Sequence, residues 1–121
     1  MQATISSGTG WELVRLGGDI TSADISKLED ILQRFLTVGR YNVILELAGV
    51  TFVGSAGISL LLRYTSAFRR WERGDLHLAA MPATIRNLFL VTGLISEDHS
   101  FFSIYPTVEA AIETAQKRAS Q

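Results

Sequence analysis

Cysteine is absent from this chain, and proline occurs only twice. The first absence removes disulfides, thiol catalysis and zinc–thiolate centres. A one-signed charge is also missing: eleven Lys and Arg stand against twelve Asp and Glu, for a formal net charge of −1. A dedicated nucleic-acid binder normally carries a basic patch, so that class is disfavoured. No apolar run approaches the roughly 20 residues that a membrane-spanning helix needs. Residues Met1 to Gly10 contain neither a basic residue nor a long apolar run, unlike a secretory signal peptide. There is no phosphate-binding Gly-Lys pair of the Walker type. Only two histidines, His77 and His99, are available as bases or metal ligands.

What remains is apolar and regularly punctuated. At 121 residues, 47% of them hydrophobic, the chain is expected to form one domain, 1–121, with a buried core in a cytoplasmic setting. Its organising stretch is Val43–Leu62. A β-branched run, Val43 to Leu47, reads as a buried strand. A connector with Gly49, Thr51 and Phe52 follows. Gly54-Ser55-Ala56-Gly57 then opens an apolar run too long for a strand. Ser55 is a preferred N-cap type, so the spacing predicts a helix from about Ala56 to Glu72 with Ser55 as its cap and Gly74 as its stop. A hydroxyl is thereby placed at the positive end of a helix, beyond a strand, where open α/β sheets usually meet ligands and partners.

Upstream, Ala3–Ser6 and Trp11–Leu16 read as a hairpin ended by Gly17-Gly18-Asp19. A helix begins near Thr21 or Ser22, where Thr21-x-x-Asp24 is a loose capping box. Its inner face is Ile25, Leu28, Leu32, Phe35 and Leu36, and Gly39 follows its end. In the organising helix, Ile58, Leu61, Leu62, Thr65 and Phe68 form a core face that Leu60, Tyr64, Ala67 and Trp71 widen. That width has two readings, packing on both the sheet and a neighbouring helix or a partner-binding patch. Ser59, Arg63, Ser66, Arg70 and Arg73 lie opposite. Downstream come a strand, Asp75–Ala80, a helix from Pro82 with Ile85, Leu88, Phe89 and Thr92 inward, a strand, Phe101–Tyr105, and a last helix from Pro106-Thr107. The order is ββαβαβαβα. It implies an α/β fold: a mixed, largely parallel sheet with an N-terminal antiparallel hairpin and about four helices.

Catalytic patterns are weak. Ser55 and His77 lack the G-x-S-x-G context of a nucleophile elbow. Glu97-Asp98-His99 reads as a solvated loop, because adjacent residues rarely converge on one metal ion. Ser55 has two readings. It caps a helix for about 1 kcal/mol, or it accepts a phosphoryl group, adding roughly −1.5 to −2 charge to a nearly neutral surface.

These residues resemble the STAS domain family, and specifically its anti-sigma-factor antagonists. The resemblance rests on Gly18-Asp19-Ile20, on Val43–Val53, on Ser55-Ala56-Gly57-Ile58 with Leu60-Leu61-Leu62, on Pro82–Leu88 with Thr92-Gly93-Leu94, and on Pro106–Ala111. It implies a small mixed sheet with helices packed on it. It also implies a cofactor-free binding protein rather than an enzyme. The implied partner is an anti-sigma factor with serine kinase activity. Binding frees a sigma factor, phosphorylation at Ser55 ends the association, and a phosphatase reverses it. The partner surface would be Thr51, Phe52, Gly54, Ser55, Ala56 and Gly57, continuing along Ser59 and Arg63. Where the family usually has acids, this chain has Gly54 and Thr21. STAS-like domains also serve as subunits of ABC-type transporters or as adaptors that need no phosphorylation, which is the alternative reading.

Overall fold

A computed structural model describes residues 1–96 and 100–119. The elements are β1 (Gln2–Gly8), β2 (Trp11–Ile20), α1 (Ile25–Thr37), β3 (Asn42–Val53), α2 (Ser55–Arg69), β4 (Asp75–Ala79), α3 (Ala83–Val91), β5 (Ser103–Tyr105) and α4 (Val108–Ala119). The expected ββαβαβαβα order is present. One five-stranded sheet runs β1-β2-β3-β4-β5, antiparallel between β1 and β2 and parallel elsewhere. The segment Glu97-Asp98-His99 lies outside the described residues.

Parallel neighbours that always advance in one direction through right-handed crossovers must place all their connecting helices on one face. The packing follows. Leu28, Leu32 and Phe35 of α1, Leu60, Leu61, Tyr64 and Phe68 of α2, and Ile85 and Phe89 of α3 share one core with Val14, Leu45, Leu76 and Leu78. The opposite face holds a smaller cluster, in which Ala111 and Ala115 of α4 meet Leu13, Ile44 and Ala79. Helices α1 and α3 end alike. The N–H groups of Gly39 and Arg40 return to the carbonyls of Leu36 and Phe35, and those of Gly93 and Leu94 to Leu90 and Phe89. In both, glycine takes the left-handed position, with φ of +79° and +78°.

Several boundaries differ from the sequence reading: β1 is longer, Gln2–Gly8, and β4 and β5 are shorter, Asp75–Ala79 and Ser103–Tyr105. Strands β2 and β3 run on past Leu16 and Leu47, to Ile20 and Val53. Gly17 and Gly49 pair across them, and a Cβ on Gly49 would sit 3.3 Å from the Leu16 carbonyl oxygen. These glycines serve close backbone approach within a bulged pair, rather than a turn. Helix α2 stops at Arg69, because Arg70 has extended ψ and Trp71 and Glu72 take φ of +57°. Trp71 therefore leaves the apolar arc and is 80% exposed. Gly74 is not the helix stop. A Cβ there would lie 2.2 Å from the Tyr41 carbonyl oxygen, so the residue is a spacer between two chain segments. Finally, Ser55 is the first residue of α2, and Gly54 is its N-cap.

Candidate functional site: the head of helix α2

The rim is assembled from the ends of two strands. Ile20 closes β2, and its carbonyl accepts the Gly54 N–H at 2.9 Å. That bond fixes the departure of the chain from β3 into α2. Gly57 lets the helix come down onto these strand ends, since a Cβ there would meet Val53 Cγ1 at 2.9 Å and Ile20 Cγ2 at 3.3 Å. The first intrahelical bond joins the Ile58 N–H to the Gly54 carbonyl at 3.1 Å. The N–H groups of Ser55, Ala56 and Gly57 precede it and have no acceptor within the helix.

Ser55 does not perform the capping role. The cap position is taken by Gly54, which has no side chain to offer, and no side-chain cap hydrogen bond is made. Among the described residues the Ser55 hydroxyl has no hydrogen-bond partner, and the residue is exposed. Thr51, Phe52, Ala56 and Ser59 are exposed around it, with Phe52 at 45%. Ser59 lies one turn further along α2, on the same face. Gly57 is buried and shapes the rim from beneath.

Arg63 is not brought to this rim. It lies two turns beyond Ser55, about 12 Å along the axis, and its guanidinium pairs with Glu29 of α1 at 3.2 Å. Beside it the Tyr64 hydroxyl donates to Gln33 Oε1 at 3.1 Å. Burial, with the Glu29 charge adding to it, raises the Tyr64 phenol above its ordinary pKa. These contacts fasten α2 to α1.

The structure adds Asp19, which the sequence reading took as the end of a hairpin. Asp19 stands opposite Phe52 in the β2–β3 register, and the Thr51 hydroxyl donates to its carboxylate. Its place within the Gly18-Asp19-Ile20 segment was the available signal. At Gly54, by contrast, a Cβ would meet nothing nearer than 3.6 Å. Space for a side chain is present where this chain has none.

Among the described residues no group of His, Cys, Asp and Glu could hold a metal ion. His77 is buried in β4, its Nδ1 lying 3.1 Å from the Tyr105 hydroxyl and its Nε2 3.4 Å from Asn42 Oδ1. It belongs to the sheet, and the triad arrangement with Ser55 is not built. No described helix is long and apolar enough to cross a membrane.

An exposed rim with the unengaged hydroxyls of Ser55 and Ser59, free helical N–H groups and the Asp19 carboxylate held by Thr51 has the character of a binding surface. The chain belongs to the STAS domain family, whose model matches residues 2–111. A Bordetella bronchiseptica protein named as an anti-sigma factor antagonist, BtrV, is 27% identical over 98% of this chain and its own full length. A Thermotoga maritima structure, also named as an anti-sigma factor antagonist, superposes with a TM-score of 0.82 at 15% identity, covering 94% of each chain. The Bacillus cell fate determinant SpoIIAA superposes with a TM-score of 0.70 in its phosphorylated form, at 17% identity over 93% of this chain and 98% of its own. The unphosphorylated form, an anti-sigma factor antagonist by name, gives the same TM-score at 18% identity over 95% and 98%.

Proposed function

We propose that this chain is a cytoplasmic anti-sigma-factor antagonist, a binding protein rather than an enzyme. Its partner is an anti-sigma factor with serine kinase activity, and phosphorylation of Ser55 switches the association off. The contact surface is Thr51, Phe52, Gly54, Ser55, Ala56, Gly57 and Ser59, with Asp19 beside Thr51. Arg63 drops out of that surface because it is engaged with Glu29.

The observation that carries this reading is the state of Ser55, whose hydroxyl is exposed and without a hydrogen-bond partner among the described residues, at the first position of α2. A kinase can reach it without disturbing the fold. Once esterified, the phosphoryl oxygens lie beside the N–H groups of Ala56 and Gly57 and the positive end of the helix dipole, so the modified chain stays folded. What changes is the surface: a rim of hydroxyls, Phe52 and Ala56, with Asp19 as its carboxylate, gains a dianion. A partner that buries the rim without a counter-ion then loses several kcal/mol. SpoIIAA is solved in a phosphorylated and an unphosphorylated form, and both share this chain's fold, which supports a switch that leaves the fold in place. A phosphatase acting on Ser55 would restore the unmodified rim.

The test is a parallel capture from native-host lysate with the wild type, Ser55→Ala and Ser55→Asp. The expected outcome is a kinase-type anti-sigma factor held by the first two and lost by the third. Capture of an ABC transporter subunit, or a partner indifferent to Ser55→Asp, contradicts the reading.

A further inference from the structure

The two edges of the sheet are finished differently. At one edge, β5 is only three residues long. At the other, β1 runs for seven residues, Gln2–Gly8, with neither a charge nor a proline. Sheet edges are normally blunted by shortness, charge, proline or a bulge, since an open row of N–H and C=O groups is a template for another strand. Pairing with β2 is continuous along β1, so every second residue turns both backbone groups outward.

Beside this edge lies a groove of about 640 Å³ between β1 and α1. Its apolar floor is Ile5, Ile31, Phe35 and Val38. Ile5 is 47% exposed and Val38 62% exposed. Along α1, Lys27, Ile31 and Arg34, with Val38 just past its end, follow one another at helical spacing and form a stripe beside the buried Leu28, Leu32 and Phe35 face. Among the described residues no strand lies beyond β1 to cover this stripe. The charges around the groove are unequal. Glu12 is engaged by Arg40 at 2.7 Å and by Ser7. Lys27 and Arg34 have no carboxylate partner among the described residues, and Asp30 is the one remaining acid that lines the groove.

We infer that this edge and groove accept an extended segment of a partner protein as a sixth strand. Its inward side chains would be apolar, seated on Ile5, Ile31 and Val38, and one acidic residue would face Lys27 and Arg34. Main-chain bonding supplies the affinity in such strand addition, and the alternating side chains supply the selectivity. The site does not involve Ser55, so it holds whether or not the Ser55 switch does.

The test uses the full chain, isotope-labelled for amide and methyl spectra, and two synthetic peptides that alternate Val with Thr. One carries a central Glu, the other a central Lys. The Glu peptide should shift β1 amides and the methyls of Ile31 and Val38, more strongly than the Lys peptide does. Arg34→Glu should reverse that order, with about a fivefold change in the affinity ratio, the scale of an exposed charge pair. Ile5→Lys should abolish the response, and Val38→Glu serves the same purpose if Ile5→Lys fails to fold. Absence of β1 shifts at millimolar peptide overturns the inference, as does an unaltered response in these variants. Concentration-dependent β1 shifts without peptide would also overturn it, since they assign the edge to a second copy of the chain.

Discussion

Two helices start at the same rim of the sheet and are finished in opposite ways. At the head of α1, the N–H and hydroxyl of Thr21 both donate to the Asp24 carboxylate, at 2.9 and 3.0 Å. At the head of α2 there is a glycine cap, an unbonded serine and no carboxylate in the first turn. Local stability alone would favour the first solution at both places, since a capping side chain contributes a few tenths of a kcal/mol over glycine. The contrast shows where stability has been forgone. Helix α2 keeps its orphan N–H groups and its hydroxyl available, while the 3-10 turn Ser22–Asp24 that leads into α1 has Thr21 committed to Asp24.

The largest effect expected from breaking this contrast is on binding. Ser55→Asp, a permanent charge on the rim, should weaken the partner complex by about a hundredfold or more, which corresponds to roughly 3 kcal/mol of uncompensated desolvation. Ser55→Ala should bind as the wild type does. It should also change stability by less than about 0.5 kcal/mol, because no side-chain bond is lost. Calorimetric titration and a thermal melt read the two quantities separately.

Gly57→Val comes next. A branched side chain at a position where even a Cβ meets Val53 at 2.9 Å must push α2 off the strand ends. A loss of about 2 kcal/mol is expected from overpacking, measurable by urea denaturation, together with weaker partner binding because the rim moves.

The head of α1 should respond to acid. The Thr21 N–H, aided by its hydroxyl and opposed by partial desolvation, holds the Asp24 carboxyl below its ordinary value of 3.8. A carboxyl lowered in the folded state contributes stability that is fully present above its unfolded pKa. That contribution is lost as pH falls through the folded pKa. Melting temperatures of the wild type and Asp24→Asn should therefore differ most near neutral pH and converge between about pH 5 and pH 2.

The smallest effect sharpens the comparison by making α2 resemble α1. Gly54→Asp places a carboxylate at the cap position, where there is room for it. A gain of a few tenths of a kcal/mol is expected, because glycine is itself a tolerable cap. Denaturant midpoints measured with replicate melts would resolve it.

Much of the fold was legible because it rests on periodicity. Leu28, Leu32 and Phe35 of α1 and Ile85 and Phe89 of α3 are buried as their spacing requires. The glycines divided into two kinds. Gly39 and Gly93 end helices by adopting left-handed φ, a local property that sequence carries. Gly17, Gly49 and Gly74 are placed by the approach of a distant segment, which local reading mistakes for a turn or a helix stop. The end of α2 was missed for a related reason. Trp71 continues the apolar arc on paper, yet the chain turns at Arg70 to start β4. At the site, Ser55 was found from its place between strand and helix, but its exact position was off by one, and that single residue converts a capping serine into an unengaged one. Asp19 stayed hidden because its partner, Thr51, is reached only through the register of two parallel strands.

The most direct measurement takes the captured kinase-type partner, adds ATP to its complex with the wild-type chain or with Ser55→Ala, and maps the phosphate by mass spectrometry while following the complex. The account predicts phosphate on Ser55 and dissociation of the wild-type complex, with the Ser55→Ala complex persisting. Phosphate elsewhere on the chain, or a complex that survives phosphorylation of Ser55, would contradict it.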